Sequence, residues 1–242
     1  MDIKRIKSGI DGLDEILGGG FINGSSILIA GGPGTGKTIF SMEFLVKGIL
    51  NYDEPGIFVT LEERPDELRR EALIFGWDLA KLEEEKIFAI VDAASSKAGL
   101  PTNEKYALRR GFDVNTLAQE IYRASRELDV KRIIIDSISS IEVQYDSDSS
   151  LRAAIFRLSA LLREINCTSL MTCEMIGKEN YTRYGIEEFV AQGLIQLFLR
   201  EESGELRRSI LVRKMRGTSH SLKRYPFEIG DNGLIVLPSG DI

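Results

Sequence analysis

The sequence predicts an α/β fold, a mostly parallel sheet with helices on both faces and an antiparallel extension at its C-terminal side. Two observations carry this. Short, almost continuously apolar runs recur along the chain with helically spaced segments between them, and beyond residue 190 that alternation gives way to two long strand-like runs. Apolar runs of this kind belong to strands covered on both faces, and a repeated strand, helix, strand order implies right-handed parallel crossovers. In order, the runs are SILIA (26–30), GIFVT (56–60), KIFAIVD (86–92), KRIIID (131–136) and TSLMTCE (168–174). Pro65 suits the first turn of a helix reaching Phe75, and a second helix is expected from Val114 to Leu128. In 149–165, Leu151, Ile155, Leu158 and Leu162 recur at helical spacing, with Asp148 or Ser149 as the N-cap. The run GLIQLFLREESGELRRSILVRKMRG reads as two strands joined at Ser203-Gly204, a hairpin that extends the sheet. No repeat, low-complexity tract or linker interrupts residues 1–242, so a single domain is expected. The longest irregular stretch, 93–113, sets Lys97, Lys105, Arg109 and Arg110 against Glu104, a local excess of positive charge.

A chain of 242 residues that is 43% hydrophobic can bury a full core. Its formal charge of -6 argues against a global electrostatic footprint for nucleic acid or membrane, so any polyanion must be met by a local loop. No apolar run approaches the roughly 20 residues that span a bilayer. Cys167 and Cys173 flank an apolar run, and with no signal-peptide pattern they are expected as buried, reduced thiols of a cytoplasmic protein.

The most specific motif is GGPGTGKT, residues 31–38, which follows one expected strand and opens a helix. It fits the phosphate-binding P-loop in its required context. Glycines let successive backbone N–H groups turn onto phosphate oxygens, an approach that side chains would block. The cradle comprises Gly31, Gly32, Pro33, Gly34, Thr35, Gly36, Lys37, Thr38 and Ile39. Lys37 supplies a point charge to the β and γ phosphates of ATP, Thr38 a hydroxyl to Mg²⁺, and the helix N-terminus its dipole. Asp136 ends the run RIIID, where such a protein places the carboxylate of the Mg²⁺ shell; taken alone, it is equally a turn former.

Ligands of open α/β sheets sit beyond the carboxyl ends of the strands, so Ala30, Leu61 and Asp136 should converge on one nucleotide. Glu62 and Glu63 follow directly on one of those strands. They can orient an attacking water, or they can favour the N-terminal dipole of the helix starting near Pro65. Adjacent carboxylates also repel, which can lift one pKa toward a useful value. Near the C-terminal side, VRKMRG alternates basic and apolar residues, placing Lys214 and Arg216 on one sheet face, either as a solvated surface or as a working pair.

These motifs, with SGIDGLDEILGGGF (8–21), FGWDLAKL, IDSISS, RYGIEEFV, KMRGTSH and YPFEI, resemble the RecA/RadA superfamily and, more closely, the KaiC-like ATPases. The resemblance covers essentially the whole chain. It implies a RecA-like P-loop core and an ATPase in which Glu62 and Glu63 are catalytic. It also implies a homo-oligomer, a ring or filament with ATP at each subunit interface, and a homohexameric ring is expected here. Lys214 and Arg216 would reach the γ phosphate of the neighbour's ATP, and His220 would contact nucleotide at the interface. Nucleotide state would then be passed to a protein client of unknown identity. KaiC carries two such domains, and its second one phosphorylates an adjacent Ser and Thr; the corresponding positions here are Glu188 and Phe189, which cannot accept phosphate. Tyr181, Thr182 and Tyr184 leave phosphotransfer to another acceptor open. A second reading is a RadA-like motor that binds single-stranded nucleic acid weakly. It would use the basic 93–113 segment and the loop GKENYTRYG, with Tyr181, Arg183 and Tyr184 for stacking and phosphate contact.

Overall fold

A computed structural model describes residues 4–109, 111–145, 147–175 and 191–239. A small antiparallel ladder of β1 (Arg5–Ile6) and β2 (Phe21–Ile22), with α1 (Leu13–Ile16) between them, precedes the core. The core then runs β3 (Ser26–Gly31), α2 (Lys37–Tyr52), β4 (Gly56–Thr60), α3 (Pro65–Ile74), α4 (Leu79–Glu84) and β5 (Phe88–Asp92). Next come α5 (Ala94–Lys97), β6 (Tyr106–Ala107), α6 (Val114–Leu128), β7 (Arg132–Asp136), a 3-10 turn (Ile138–Gln144), α7 (Asp148–Ile165) and β8 (Thr168–Glu174). Four strands finish the described chain: β9 (Gly193–Glu202), β10 (Glu205–Met215), β11 (Arg224–Gly230) and β12 (Gly233–Val236).

Ten of these strands form one sheet in the order β12-β11-β10-β9-β3-β8-β7-β4-β5-β6. From β9 to β6 every neighbouring pair is parallel, and from β9 to β12 every pair is antiparallel. The expected hairpin is present, with its turn at Ser203-Gly204, both in the left-handed region. Alternation along β3 sorts the core into two layers. Ile27 and Ile29 pack with Phe40, Phe44 and Leu45 of α2, whereas Leu28 and Ala30 pack with Leu117, Ile121, Ile155 and Leu158 of α6 and α7.

Local chemistry fixes the helix ends. The Asp113 carboxylate accepts from Thr116 N at 2.8 Å and starts α6. For α7 the N-cap is Ser147, one residue earlier than expected: it is extended and its hydroxyl accepts from Ser150 N, while Asp148 is already helical. The stretch 93–113 is also less irregular than expected, since it contains α5 and the edge strand β6. Cys167 and Cys173 are buried free thiols, as expected, and burial pushes the Cys167 thiol up to about 12. Among the described residues no helix is long and apolar enough to cross a membrane.

Two buried charges tie α2 to the sheet. Arg132 is fully buried at the start of β7, donating to Glu54 (2.7 Å), Phe44 O (2.6 Å) and Lys7 O (2.8 Å), with its guanidinium 4.4 Å from the Phe44 ring centre. It passes so close to α2 that a Cβ on Gly48 would lie 2.2 Å from its Nε, which explains a glycine inside that helix. Against β12, the buried Glu43 of α2 accepts from Leu234 N at 2.6 Å, and the left-handed Gly233 leaves the space its carboxylate fills. Burial raises the Glu43 pKa to about 7 against the opposing pull of the Leu234 hydrogen bond and Lys47.

Arg132→Met should lower stability by about 3–5 kcal/mol in urea titrations, because it orphans Glu54 and two carbonyls together. Glu43 binds its proton more tightly folded than unfolded, so its contribution is fully present below about pH 4.5 and is lost as pH rises through about 7. Glu43→Gln should therefore flatten the decline in stability between those pH values, read as denaturation midpoints across a pH series.

Candidate active site

The carboxyl ends of the parallel strands are level with one another: Gly31 is paired with Glu174, and Thr60 with both Asp92 and Asp136. The three strand ends expected to meet, at Ala30, Leu61 and Asp136, therefore do, and Leu61 N donates to Asp136 O at 2.7 Å.

The phosphate loop is closed on itself. Gly34 and Gly36 adopt left-handed conformations, and the buried Thr35 donates its hydroxyl to Gly32 O at 2.8 Å. A Cβ on Gly31 would meet that same hydroxyl at 2.6 Å, and one on Gly36 would meet Ile229 of β11 at 2.8 Å. Lys37, the first residue of α2, folds back to donate to Gly31 O (3.0 Å) and Gly32 O (3.1 Å), which sets its ammonium inside the loop. Pro33 is exposed at the loop tip, Thr38 is half-buried in the first turn, and Ile39 packs on the core. Gly36 at the N-cap offers no side-chain acceptor, so the first N–H groups of α2 remain available to an anion.

Asp136 is buried and accepts from the hydroxyls of Thr172 and Thr38, and burial holds its carboxyl above the usual range despite those bonds. A buried acid beside the Thr38 hydroxyl fits a hard divalent cation, whose charge would reverse that penalty.

The two glutamates have different surroundings. Glu62 accepts from Ser137 and Ser140, each at 2.6 Å, both from the turn after β7. Glu63 is half-buried and one of its oxygens is buried without a hydrogen-bond partner; its pKa is raised to about 7, first by burial and then by Glu71, Asp136, Glu62 and Glu67. Neither caps α3. That helix starts after Arg64, whose N–H is met by the Glu67 carboxylate at 3.0 Å. The serines of the β7 turn were not read from the sequence as partners of Glu62; their signal was the IDSISS stretch directly after the strand.

Lys214 and Arg216 lie at the other end of the sheet. Met215 is paired with Gly193, which is paired with Ile27, and Arg216 N donates to Gln192 O at 2.9 Å. Ile27 is four residues before Gly31, or about 13 Å along the strand, so these cations sit two strands over and near the amino end of β3. The even alternation expected there is interrupted by a bulge between Val212 and Lys214, and Arg216 falls beyond the strand, in the following turn. Lys214 donates to Ala191 O at 2.9 Å. His220 has one ring nitrogen 3.2 Å from Thr218 O and the other buried without a partner among the described residues.

The basic stretch 93–113 is largely committed to its own fold. Lys97 donates to Leu61 O and Ser140 O, Lys105 pairs with Glu127 at 2.6 Å, and Arg109 donates to Glu104 O at 2.9 Å. Arg110, the loop GKENYTRYG with Tyr181, Thr182, Arg183 and Tyr184, and the positions Glu188 and Phe189 lie outside the described residues.

The KaiC ATPase family model matches residues 6–241. A protein of Thermotoga maritima described as a UPF0273 protein is 45% identical, with 98% of this chain and 97% of that one aligned. The circadian clock oscillator protein KaiC of Synechococcus elongatus is 42% identical over 98% of this chain, which spans 45% of that protein. The crystal structure of a KaiC-like protein from Pyrococcus horikoshii superposes with a TM-score of 0.85 at 44% identity, covering 98% of this chain and all of the other. With the family's phosphate loop closed around Lys37 and a match that runs nearly end to end, the chain belongs to the KaiC ATPase family.

Proposed function

We propose that this protein binds ATP with Mg²⁺, hydrolyses the β–γ phosphoanhydride bond at sites shared between neighbouring copies of a ring, and presents its nucleotide state to a protein client. The observation that supports the shared site is the placement of Lys214 and Arg216 near the amino end of β3, with the phosphate loop at the carboxyl end. An arginine side chain cannot bridge that separation within one chain, but head-to-tail packing would bring one copy's cations to the next copy's phosphates.

In this reading Lys37 exchanges its two loop carbonyls for β and γ phosphate oxygens, and the N–H groups of the loop and of the first turn of α2 hold the rest. Thr38 and Asp136 would hold Mg²⁺, which when bound offsets the negative charge on the phosphate oxygens. Glu63 orients a water and accepts its proton as the water oxygen bonds to the γ phosphorus and the bond to the bridging oxygen breaks, leaving ADP and phosphate. Burial raises the Glu63 pKa first, and Glu62, held in place by Ser137 and Ser140, adds to that rise together with Glu71 and Asp136. His220 and the residues after β10 would line the neighbour's nucleotide. The single-stranded nucleic-acid reading is disfavoured, because the cations of 93–109 are spent on internal partners.

Glu63→Gln should keep ATP affinity, measured by calorimetry, and slow hydrolysis by roughly two to four orders of magnitude, whereas Lys37→Ala should lose triphosphate binding altogether. In the unmutated protein kcat should rise with pH through about 7 as Glu63 ionises, and the Gln variant should lose that limb. Full turnover in Glu63→Gln would remove Glu63 from the chemistry.

Arg216→Ala and Lys37→Ala proteins should each be nearly inactive alone, because one lacks the finger and the other lacks the phosphate loop. Mixed equally, about a quarter of interfaces would pair an intact loop with an intact finger, and hydrolysis should reappear in that proportion. No recovery, with subunit exchange verified by native mass spectrometry, would place Arg216 outside the neighbour's site.

A further inference from the structure

Lys97 is one of the basic residues of the 93–113 stretch, yet its side chain turns inward. The reason starts at β5. The Asp92 carboxylate accepts from Ser95 N at 2.9 Å, Ala93 N donates to Thr60 O at 3.0 Å, and Lys97 N donates to Ala93 O at 3.2 Å. The short α5 is thus anchored to the end of β4. From there the half-buried ammonium donates to Leu61 O at 3.1 Å and to Ser140 O at 3.0 Å, with the Phe112 ring centre 5.7 Å away. Burial lowers the pKa of Lys97, and Glu62 opposes that shift, so the charge it faces is the glutamate.

These two acceptors are not arbitrary carbonyls. Leu61 immediately precedes Glu62, and Ser140 is the residue whose hydroxyl donates to the Glu62 carboxylate. Leu61 is clamped at both ends, its N–H on Asp136 O and its carbonyl on Lys97. The Lys97 ammonium therefore closes a circuit: it holds the backbone on each side of the Glu62–Ser140 hydrogen bond and joins the ends of β4, β5 and β7.

We propose that Lys97 is a positioning residue for hydrolysis, fixing the Glu62–Glu63 turn relative to the turn after β7 without touching nucleotide. This rests on the catalytic reading of the glutamates. A neutral side chain at 97 leaves two half-buried carbonyls without their common donor and frees the turn to shift, and a displacement near 1 Å is enough to slow a reaction on the order of a hundredfold.

The test measures steady-state ATP hydrolysis and calorimetric binding of a non-hydrolysable ATP analogue for Lys97→Met and Lys97→Arg, each also combined with Glu63→Gln. Lys97→Met should lower kcat by about 10- to 100-fold, with KM and analogue affinity within about twofold. Lys97→Arg, which keeps donors for both carbonyls, should recover most of the loss. In the Glu63→Gln background, Lys97→Met should cost almost nothing further, because the group that it positions is already disabled. Full kcat in Lys97→Met, or an undiminished loss in the Glu63→Gln background, would overturn the proposal. Should Lys97→Met fail to fold, Lys97→Leu takes its place under the same expectations. Full turnover in Glu63→Gln alone would instead sink the catalytic reading of the glutamates, so the two failures are distinguishable.

Discussion

The constraint on which the site depends is the in-register parallel pairing of β3, β8, β7, β4 and β5. Parallel strands deliver all their carboxyl ends to one rim, and right-handed crossovers force the helices to start there too. Residues far apart in sequence, from Gly31 to Glu174, thereby become neighbours without any loop having to reach. The rim is a place where helix N-termini, acidic side chains and glycine turns meet, and the phosphate loop is one local case of that arrangement.

Gathering acids on one rim has an electrostatic cost, and the structure disperses it unequally. Asp136 is given two hydroxyls, and Glu62 is given two serines and the field of Lys97. Glu63 and Asp92 each keep a buried oxygen with no hydrogen-bond partner among the described residues, and Glu63 has four acidic neighbours besides. Burial and those neighbours raise the proton affinity of Glu63, the property that the proposed base would need.

Much of this was legible in the sequence. Apolar runs over 26–30, 56–60 and 168–174 became strands because they are buried on both faces and leave no periodic ambiguity, and the phosphate loop was legible because its glycines are demanded by backbone geometry alone. The short edge strand β6 was invisible, since two residues carry no period. Lys97 was misleading for a different reason: a lysine in the run SSKAG has the composition of a surface loop, and its inward turn depends on a cap formed by Asp92, five residues away, and on carbonyls just beyond the ends of two other strands. The different surroundings of Glu62 and Glu63 were likewise unreadable, because adjacent identical residues differ only in what the fold brings to them. The opposite placement of Arg216 and Lys37 needed the strand register, which periodicity does not supply.

The central position of β3 has a consequence for how the protein is made. This strand comprises residues 26–31, but its two neighbours in the sheet are β8, at 168–174, and β9, at 193–202. During synthesis the phosphate loop therefore emerges early, on a strand whose edges both stay bare until well over a hundred further residues have been added. A mostly apolar strand with two open edges is a template for mispairing, and contacts of such long sequence separation close slowly. Nascent chains of this protein should spend much of translation with β3 unpaired, and both its edges can be covered only once β9, ending at residue 202, has left the ribosome.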